Sequence, residues 1–209
     1  MTDEPQWLLW ARELQAMAQA GLTFSQDPYD QERYRRLRVI AAEAMAAGCD
    51  EPVERIRSLF ERDVGYPTPK VDVRGAVFRN GRILLVREIS DGGWTLPGGW
   101  ADVNQSPRQC VEREIAEESG FQARASKLAA VWDARRQGYA YRHPYSIYKL
   151  FFICELIGGA ARSSIETSEV GFFAPGGLPA QLSQGRANAQ QIARMFEHRR
   201  DPTLPTEFD

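Results

Sequence analysis

The stretch "GGWADVNQSPRQCVEREIAEESGF", from Gly98 to Phe121, places paired glycines ahead of a strongly acidic segment. Ser106 followed by Pro107 is typical of a helix start, because the hydroxyl accepts from free amides and proline lacks an N–H that would be unpaired there. A glycine, Gly120, is typical of a helix end. These signals predict a helix from Pro107 to Ser119.

Three glutamates are predicted to share one face of this helix: Glu114, Glu117 and Glu118. Glu112 points to the opposite side, whereas Cys110 and Val111 lie in the shared sector one turn earlier. Carboxylates clustered beside apolar side chains are costly unless a cation neutralises them. Oxygen ligands suit Mg²⁺ or Mn²⁺ better than zinc, which prefers His or Cys.

An ordinary charged helix is the alternative interpretation of the same residues. Arg113 and Glu117 are four positions apart and would form an ion pair on the helix surface. The spacing alone leaves both interpretations open.

A wider pattern surrounds the helix. Gly99, five residues, Gln105, seven residues and then "REIAEESGF" resemble the Nudix box, G-x5-E-x7-R-E-U-x-E-E-x-G-U, where U is aliphatic or aromatic. Every fixed position matches except Gln105. The resemblance implies an α+β fold, a Nudix-type α/β/α sandwich with a mixed β-sheet. It also implies hydrolysis of a nucleoside diphosphate linked to a second group, X.

The resemblance also implies roles for individual residues. It makes the three glutamates ligands of Mg²⁺ or Mn²⁺, with the Gly98 carbonyl as a possible additional ligand. Arg113 would orient the carboxylates, and Gly98 and Gly99 would let the backbone approach the ion. Gln105 can still accept a hydrogen bond from Arg113, but without charge, which predicts weaker positioning.

The general base is expected to be a box glutamate or one of two later glutamates, Glu166 and Glu169. Solvated loop residues are the alternative interpretation for both. Contacts to the rest of the substrate are predicted for a set of polar, cationic and aromatic residues: Arg87, Gly99, Trp132, Asp133, Arg142, His143 and Tyr148. Most aromatic residues of the 145–156 run are also explained as core of a strand buried on both faces.

Periodicity divides the chain into a small all-α N-terminal domain, 1–65, and a Nudix hydrolase domain, 66–209, joined by a Pro/Gly stretch. Gly21 is expected to end the first helix and Asp30 to cap the second. Asn80-Gly81 predicts a hairpin turn. The other predicted elements are helices at Pro52–Phe60 and Ala187–Arg199 and strands at Ala129–Asp133, Tyr145–Leu156 and Val170–Ala174.

The N-terminal segment resembles the helical domain that precedes the Nudix domain in certain hydrolases of X-linked nucleoside diphosphates. That resemblance suggests substrates such as ADP-ribose or CDP-choline, and a homodimer. Exposed Trp7, Leu8 and Trp10 would agree with a dimer interface. Packing of the helices on their own Nudix domain is the alternative.

Composition excludes other classes. A formal net charge of -2 argues against a generic binder of nucleic acid. Three well-separated cysteines fit free thiols in a reducing compartment, and no apolar run is long enough to span a bilayer, so we expect a cytoplasmic protein without a membrane partner. The leading hypothesis is a Mg²⁺-dependent pyrophosphohydrolase of a small nucleotide, giving a nucleoside monophosphate and phospho-X. A non-catalytic Nudix-like ligand sensor is the alternative.

Overall fold

The computed structural model describes residues 5–139, 144–183 and 185–209. Arg142 and His143 therefore lie outside the described residues. Internal contacts divide the chain into two compact units, the first ending at Pro69 and including residues 144–146, the second starting at Lys70. The boundary at residue 65 stays a prediction.

In its described part, the first unit contains three helices: α1, Gln6–Phe24; α2, Pro28–Cys49; and α3, Val53–Arg62. Their shared core is formed by buried apolar residues: Leu8, Ala11, Ala41, Ala42, Met45, Ala46, Ile56 and Phe60. Leu8 is thus a core residue, and the prediction that it is exposed at an interface is wrong. Burial of this core stabilises helices whose isolated segments would be marginal.

The ends of α1 and α2 differ from the sequence prediction. Gly21 lies inside α1, which continues to Phe24. The Tyr34 ring packs so closely there that a Cβ at Gly21 would be 2.4 Å from the ring carbons, so this glycine allows close helix packing rather than ending the helix. The N-terminal cap of α2 is Asp27 rather than Asp30. The Oδ1 atom of Asp27 accepts from the amide of Tyr29 at 2.9 Å, and Pro28 occupies the first helical position.

The second unit is built on a mixed sheet with seven strands in the described residues: β1, Lys70–Arg79; β2, Arg82–Glu88; β3, Trp94–Thr95; β4, Phe121–Asp133; β5, Ile147–Gly159; β6, Thr167–Phe173; and β7, Glu207–Phe208. The strand order is β3-β2-β1-β5-β4-β7, with β6 beside β2. Strands β1 and β5 are parallel, as are β4 and β7, and the other pairs are antiparallel.

Two helices cover the sheet, α4 at Pro107–Ser119 and α5 at Ala189–Arg200. Alternate residues of β1 face different helices: Val73 and Val77 join the core with α4, whereas Ala76 and Phe78 join the core with α5. The predicted α/β/α sandwich with a mixed sheet is confirmed.

Some elements have the bounds that the local sequence predicts, and others do not. Asn80 and Gly81 have φ of 51° and 72°, which confirms the hairpin turn, and α4 has the predicted bounds. Strand β4 begins eight residues earlier than Ala129, at Phe121. Buried and exposed residues alternate in this early part, but its buried positions include Ala123 and Ala125, and alanine is a weak indicator of a strand. Among the described residues, no helix is long and apolar enough to cross a membrane.

Candidate active site

The two glycines that open the box form a loop, the glycine loop, lying directly against β1. The Val73 amide donates to the Gly99 carbonyl at 2.8 Å. Gly98 has φ of 145°, and a Cβ there would stand 2.0 Å from the Val73 carbonyl oxygen. Only glycine fits this approach. The Gly98 amide donates to Glu118 Oε2 at 2.8 Å, so the loop also contacts α4.

Helix α4 is fixed by both its ends and its apolar face. A capping box links Ser106 and Gln109, and Gly120 ends the helix at φ of 74°. The Ile115 side chain packs over Gly75 of β1, where a Cβ would be 2.6 Å from it. These contacts hold the helix against the sheet with the glutamate face toward the glycine loop.

The three glutamates differ in burial. Glu118 is only 4% exposed, and the Glu114 side chain is 12% exposed. The Glu117 side chain is 58% exposed and its Oε2 lies 2.6 Å from Arg113 Nη1. Two of the three carboxylates thus face the interior as predicted, whereas Glu117 lies at the edge of that face and forms the ion pair of the alternative interpretation.

Burial changes the acidity of these carboxyl groups. Burial raises the pKa of Glu118 to about 8, against the opposing effects of Arg74 and the Gly98 amide. Burial also raises the pKa of Glu114, while Arg113 acts to lower it. A nearby divalent cation would stabilise both groups as anions, and carboxylate and carbonyl oxygens are the donors that Mg²⁺ prefers. The residues present therefore fit the implied ion.

The carboxylates do not form a closed metal cage by themselves. Among the described residues, no three acidic, histidine or cysteine side chains converge closely enough to hold a metal ion. The Gly98 group that contacts Glu118 is the amide, not the carbonyl. The metal-ligand roles of Gly98 and the three glutamates remain predictions.

Arg113 is the hub of the polar contacts around the helix. Its Nε donates to Gln105 Oε1 at 3.2 Å, which is the hydrogen bond to a neutral acceptor that the sequence predicts. Its Nη2 lies 2.8 Å from Asp102 Oδ2 and 3.0 Å from Glu114 Oε1. Asp102 was not predicted, although an acidic residue three positions before Gln105 is visible in the box loop.

A buried charge cluster is formed by Asp72 and Arg74 of β1, the strand that the glycine loop contacts, together with Lys149 of β5. Asp72 Oδ1 accepts from Arg74 Nε at 2.9 Å and from Lys149 Nζ at 3.1 Å. Arg74 Nη1 also donates to the Leu96 carbonyl at 3.2 Å. Burial alone would raise the pKa of Asp72, but the two cations lower it. The sequence does not reveal this cluster, because charged residues that alternate with apolar residues in a strand are typical of a solvated face.

The two later glutamates stand in different surroundings. Thr167 Oγ1 donates to the Glu118 carbonyl at 2.6 Å, which holds the turn containing Glu166 against the end of α4. Glu169 lies on β6, and its Oε1 is 2.6 Å from Arg87 Nη1 in a largely exposed ion pair. Arg87 is held further by donation from its Nε to the Gly92 carbonyl at 2.9 Å.

The residues predicted to contact the substrate differ in burial and in their partners. Trp132 is 7% exposed and packs on Phe151 with ring centroids 5.0 Å apart, so it is a core residue and not a surface on which a base stacks. Asp133 caps a short turn by accepting from the Arg135 amide at 3.0 Å. Tyr148 is 46% exposed and stays a candidate.

The fold and this site define a Nudix hydrolase, and comparison with known families agrees. Residues 68–195 match the NUDIX domain, and residues 5–60 match a family described as a UDP-X-like, N-terminal oligomerisation domain. The chain belongs to the Nudix family. It is a pyrophosphohydrolase of that family, as its similar relatives also indicate.

Three relatives show how far the similarity extends. Bacillus subtilis (strain 168) YjhB, whose name provisionally assigns it as an ADP-ribose pyrophosphatase, is 43% identical over 99% of this chain and 98% of its own length. The crystal structure of an ADP-ribose pyrophosphatase from Streptococcus suis 89-1591 is 39% identical, covers 68% of this chain and all (100%) of its own, and superposes with a TM-score of 0.62. A crystal structure of a UDP-X diphosphatase is 31% identical over 97% of this chain and 98% of its own, also with a TM-score of 0.62.

Proposed function

We propose that the chain hydrolyses the pyrophosphate bond of ADP-ribose or a similar nucleoside diphosphate linked to X, with Mg²⁺ or Mn²⁺ as cofactor. The products would be a nucleoside monophosphate and phospho-X. The observation that carries the proposal is the buried carboxyl pair, Glu114 and Glu118, beside the glycine loop. The names of YjhB and of the Streptococcus suis enzyme support ADP-ribose as the first substrate to test.

The ion would be held by the three glutamates with the Gly98 carbonyl. When bound, it would shield the pyrophosphate charge and lower the pKa of a water molecule, so that hydroxide is available at neutral pH. Arg113 orients Glu114 and Glu117 through charge-assisted hydrogen bonds. Gly98 and Gly99 have no side chains that would keep the pyrophosphate of the substrate away from these carboxylates.

The residue assigned as general base in this proposal is Glu166. The Thr167 hydrogen bond holds its turn at the end of α4, next to Glu118. Glu169 is less suited, because its carboxylate is already paired with Arg87. Arg87, Gly99, Tyr148, Arg142 and His143 stay proposed contacts for the substrate.

A UDP-linked substrate is the second candidate. The UDP-X diphosphatase structure covers 97% of this chain, whereas the Streptococcus suis structure covers 68%. CDP-choline belongs in the same test, because the N-terminal helical segment resembles that of hydrolases for which such a substrate is expected.

A substrate panel tests the proposal directly. ADP-ribose, UDP-sugars, CDP-choline, dinucleoside polyphosphates and capped RNA would be incubated with Mg²⁺, and products separated by ion-exchange chromatography. We expect AMP and ribose 5-phosphate from ADP-ribose, and no product after chelation of the metal. Binding of a nucleotide without turnover of any substrate would instead support the sensor hypothesis.

We further infer that the helical unit forms a homodimer through α1. Trp10, Met17 and Phe24 recur every seventh residue and are 59%, 52% and 65% exposed, so they form one apolar stripe, the α1 stripe. The match of this segment to an oligomerisation domain supports a second copy of the chain as the partner. Trp7 contributes less, because it is partly buried against Gly48.

A further inference from the structure

The neutral residue at position 105 leaves Arg113 without the carboxylate that the box pattern places there. We propose that Asp102 supplies this charge from a different position in the box loop, as a positioning residue for the metal-binding carboxylates. The inference deepens the proposed function and rests on its metal site. It assigns Asp102 a role that the box pattern does not include.

The geometry around Arg113 carries the inference. Asp102 Oδ2 lies 2.8 Å from Nη2, whereas Gln105 Oε1 lies 3.2 Å from Nε. The shorter contact is therefore the charged one, and the guanidinium uses Gln105 only as a neutral acceptor. On the helix side, the same guanidinium contacts Glu114 and Glu117 at 3.0 and 2.6 Å.

The loop holds Asp102 in place for this contact. The amide of the preceding residue, Ala101, donates to the Val71 carbonyl at 2.9 Å, which fixes the box loop against β1. The Asp102 side chain is 58% exposed, and an isolated pair at that exposure would contribute little. Here its partner is a half-buried arginine shared with two proposed metal ligands, so the pair acts on the site through Arg113.

The balance of charge explains what Asp102 would do. With Asp102 present, the positive charge of Arg113 is divided between a loop carboxylate and the helix carboxylates. Without it, the guanidinium would be neutralised by Glu114 and Glu117 alone, and would compete with a cation for their oxygens. Removal of Asp102 should therefore weaken metal binding rather than nucleotide binding.

The test is a charge-relocation cycle read out by Mn²⁺ binding in isothermal titration calorimetry. Asp102→Asn should weaken Mn²⁺ binding about tenfold, in the range for groups that orient metal ligands. Gln105→Glu in the same chain, giving the double variant D102N/Q105E, should restore affinity to within about twofold. Glu112→Gln is the matched control, because it removes one charge from the same helix without touching Arg113, and it should leave affinity unchanged.

Two further measurements separate positioning from folding and from catalysis. In the metal-free protein, the Arg113 Nη2 proton resonances should broaden or shift toward those of a solvated guanidinium in D102N, because Asp102 contacts Nη2. In D102N/Q105E the Nε–H resonance should shift instead, because residue 105 contacts Nε. In the enzyme assay, D102N should raise the Mg²⁺ concentration for half-maximal rate more than the KM for ADP-ribose.

Parental Mn²⁺ affinity in D102N, an equal loss in E112Q, or failure of Q105E to rescue would each overturn the assignment. Mn²⁺ binding by the parent without hydrolysis of any substrate would remove the proposed function, while the Asp102 assignment would still be decided by the binding cycle.

Discussion

At Glu118 a carboxyl group is almost fully buried beside a backbone amide, and its pKa is raised by that burial. Near neutral pH the metal-free group is therefore largely protonated, and glutamine closely resembles that form. We expect Glu118→Gln to keep the fold, because the amide oxygen still accepts from Gly98. Turnover should fall by at least about a hundredfold, the upper end for groups that only orient ligands.

The measurement is kcat for ADP-ribose at saturating Mg²⁺, with thermal unfolding as the check on folding. Glu112→Gln, on the opposite side of α4, serves as the control. Near-parental kcat in the Glu118 variant would show that this carboxylate has no part in the chemistry.

Two glutamates, Glu166 and Glu169, are candidates for the general base. Glu166→Gln should lower kcat by about 10² to 10⁴, the usual contribution of a positioned base, with a smaller change in KM. Glu169→Gln breaks the exposed pair with Arg87 and should change kcat by less than about tenfold. The opposite ranking in steady-state kinetics would transfer the role to Glu169.

The glutamates themselves could be predicted from sequence because their spacing on a helix is a local property. The exposed position of Glu117 and the contact of Asp102 with Arg113 could not, since both depend on where the box loop folds back. The burial of Trp132 likewise follows from packing against Phe151, a residue of another strand.

Between elements, the buried charge cluster links β1 to β5. Asp72→Asn would leave Arg74 and Lys149 buried side by side with no anion between them, so we expect a loss of about 3–5 kcal/mol in the free energy of unfolding. Lys149→Met should cost less, because Asp72 keeps its bonds to Arg74. Urea unfolding followed by tryptophan fluorescence measures both. Equal stability of the parent and the Asp72 variant would show that the cluster is not a determinant of stability.

The elements set by local signals were predicted best. The Asn80-Gly81 turn and the bounds of α4 follow from residues within a few positions. The predicted end of α1 was wrong because Gly21 makes room for Tyr34 of another helix, a contact that the residues around Gly21 do not reveal. The predicted start of β4 was wrong because the buried positions of its first part include Ala123 and Ala125, and alanine is a weak indicator of a strand.

For the whole molecule, the α1 stripe predicts the oligomeric state. Trp10→Glu should convert a dimer to a monomer, because a charge in an apolar interface core is left without a partner. Size-exclusion chromatography with light scattering measures the mass. Ile157→Glu is the matched control, since Ile157 is equally exposed at 59% but lies on the sheet, and it should leave the mass unchanged. A Trp10→Glu variant with the parental dimer mass would place the interface elsewhere.

The proposed hydrolysis depends on a divalent ion bound between the glycine loop and the carboxylates of α4. An anomalous difference map from a crystal grown with Mn²⁺ would locate that ion. We predict a peak about 2.0–2.2 Å from carboxylate oxygens of Glu118 and Glu114, the distance typical of small hard cations. A fully occupied Mn²⁺ peak at another place, with none at these two side chains, would show that the ion does not bind between the glycine loop and α4.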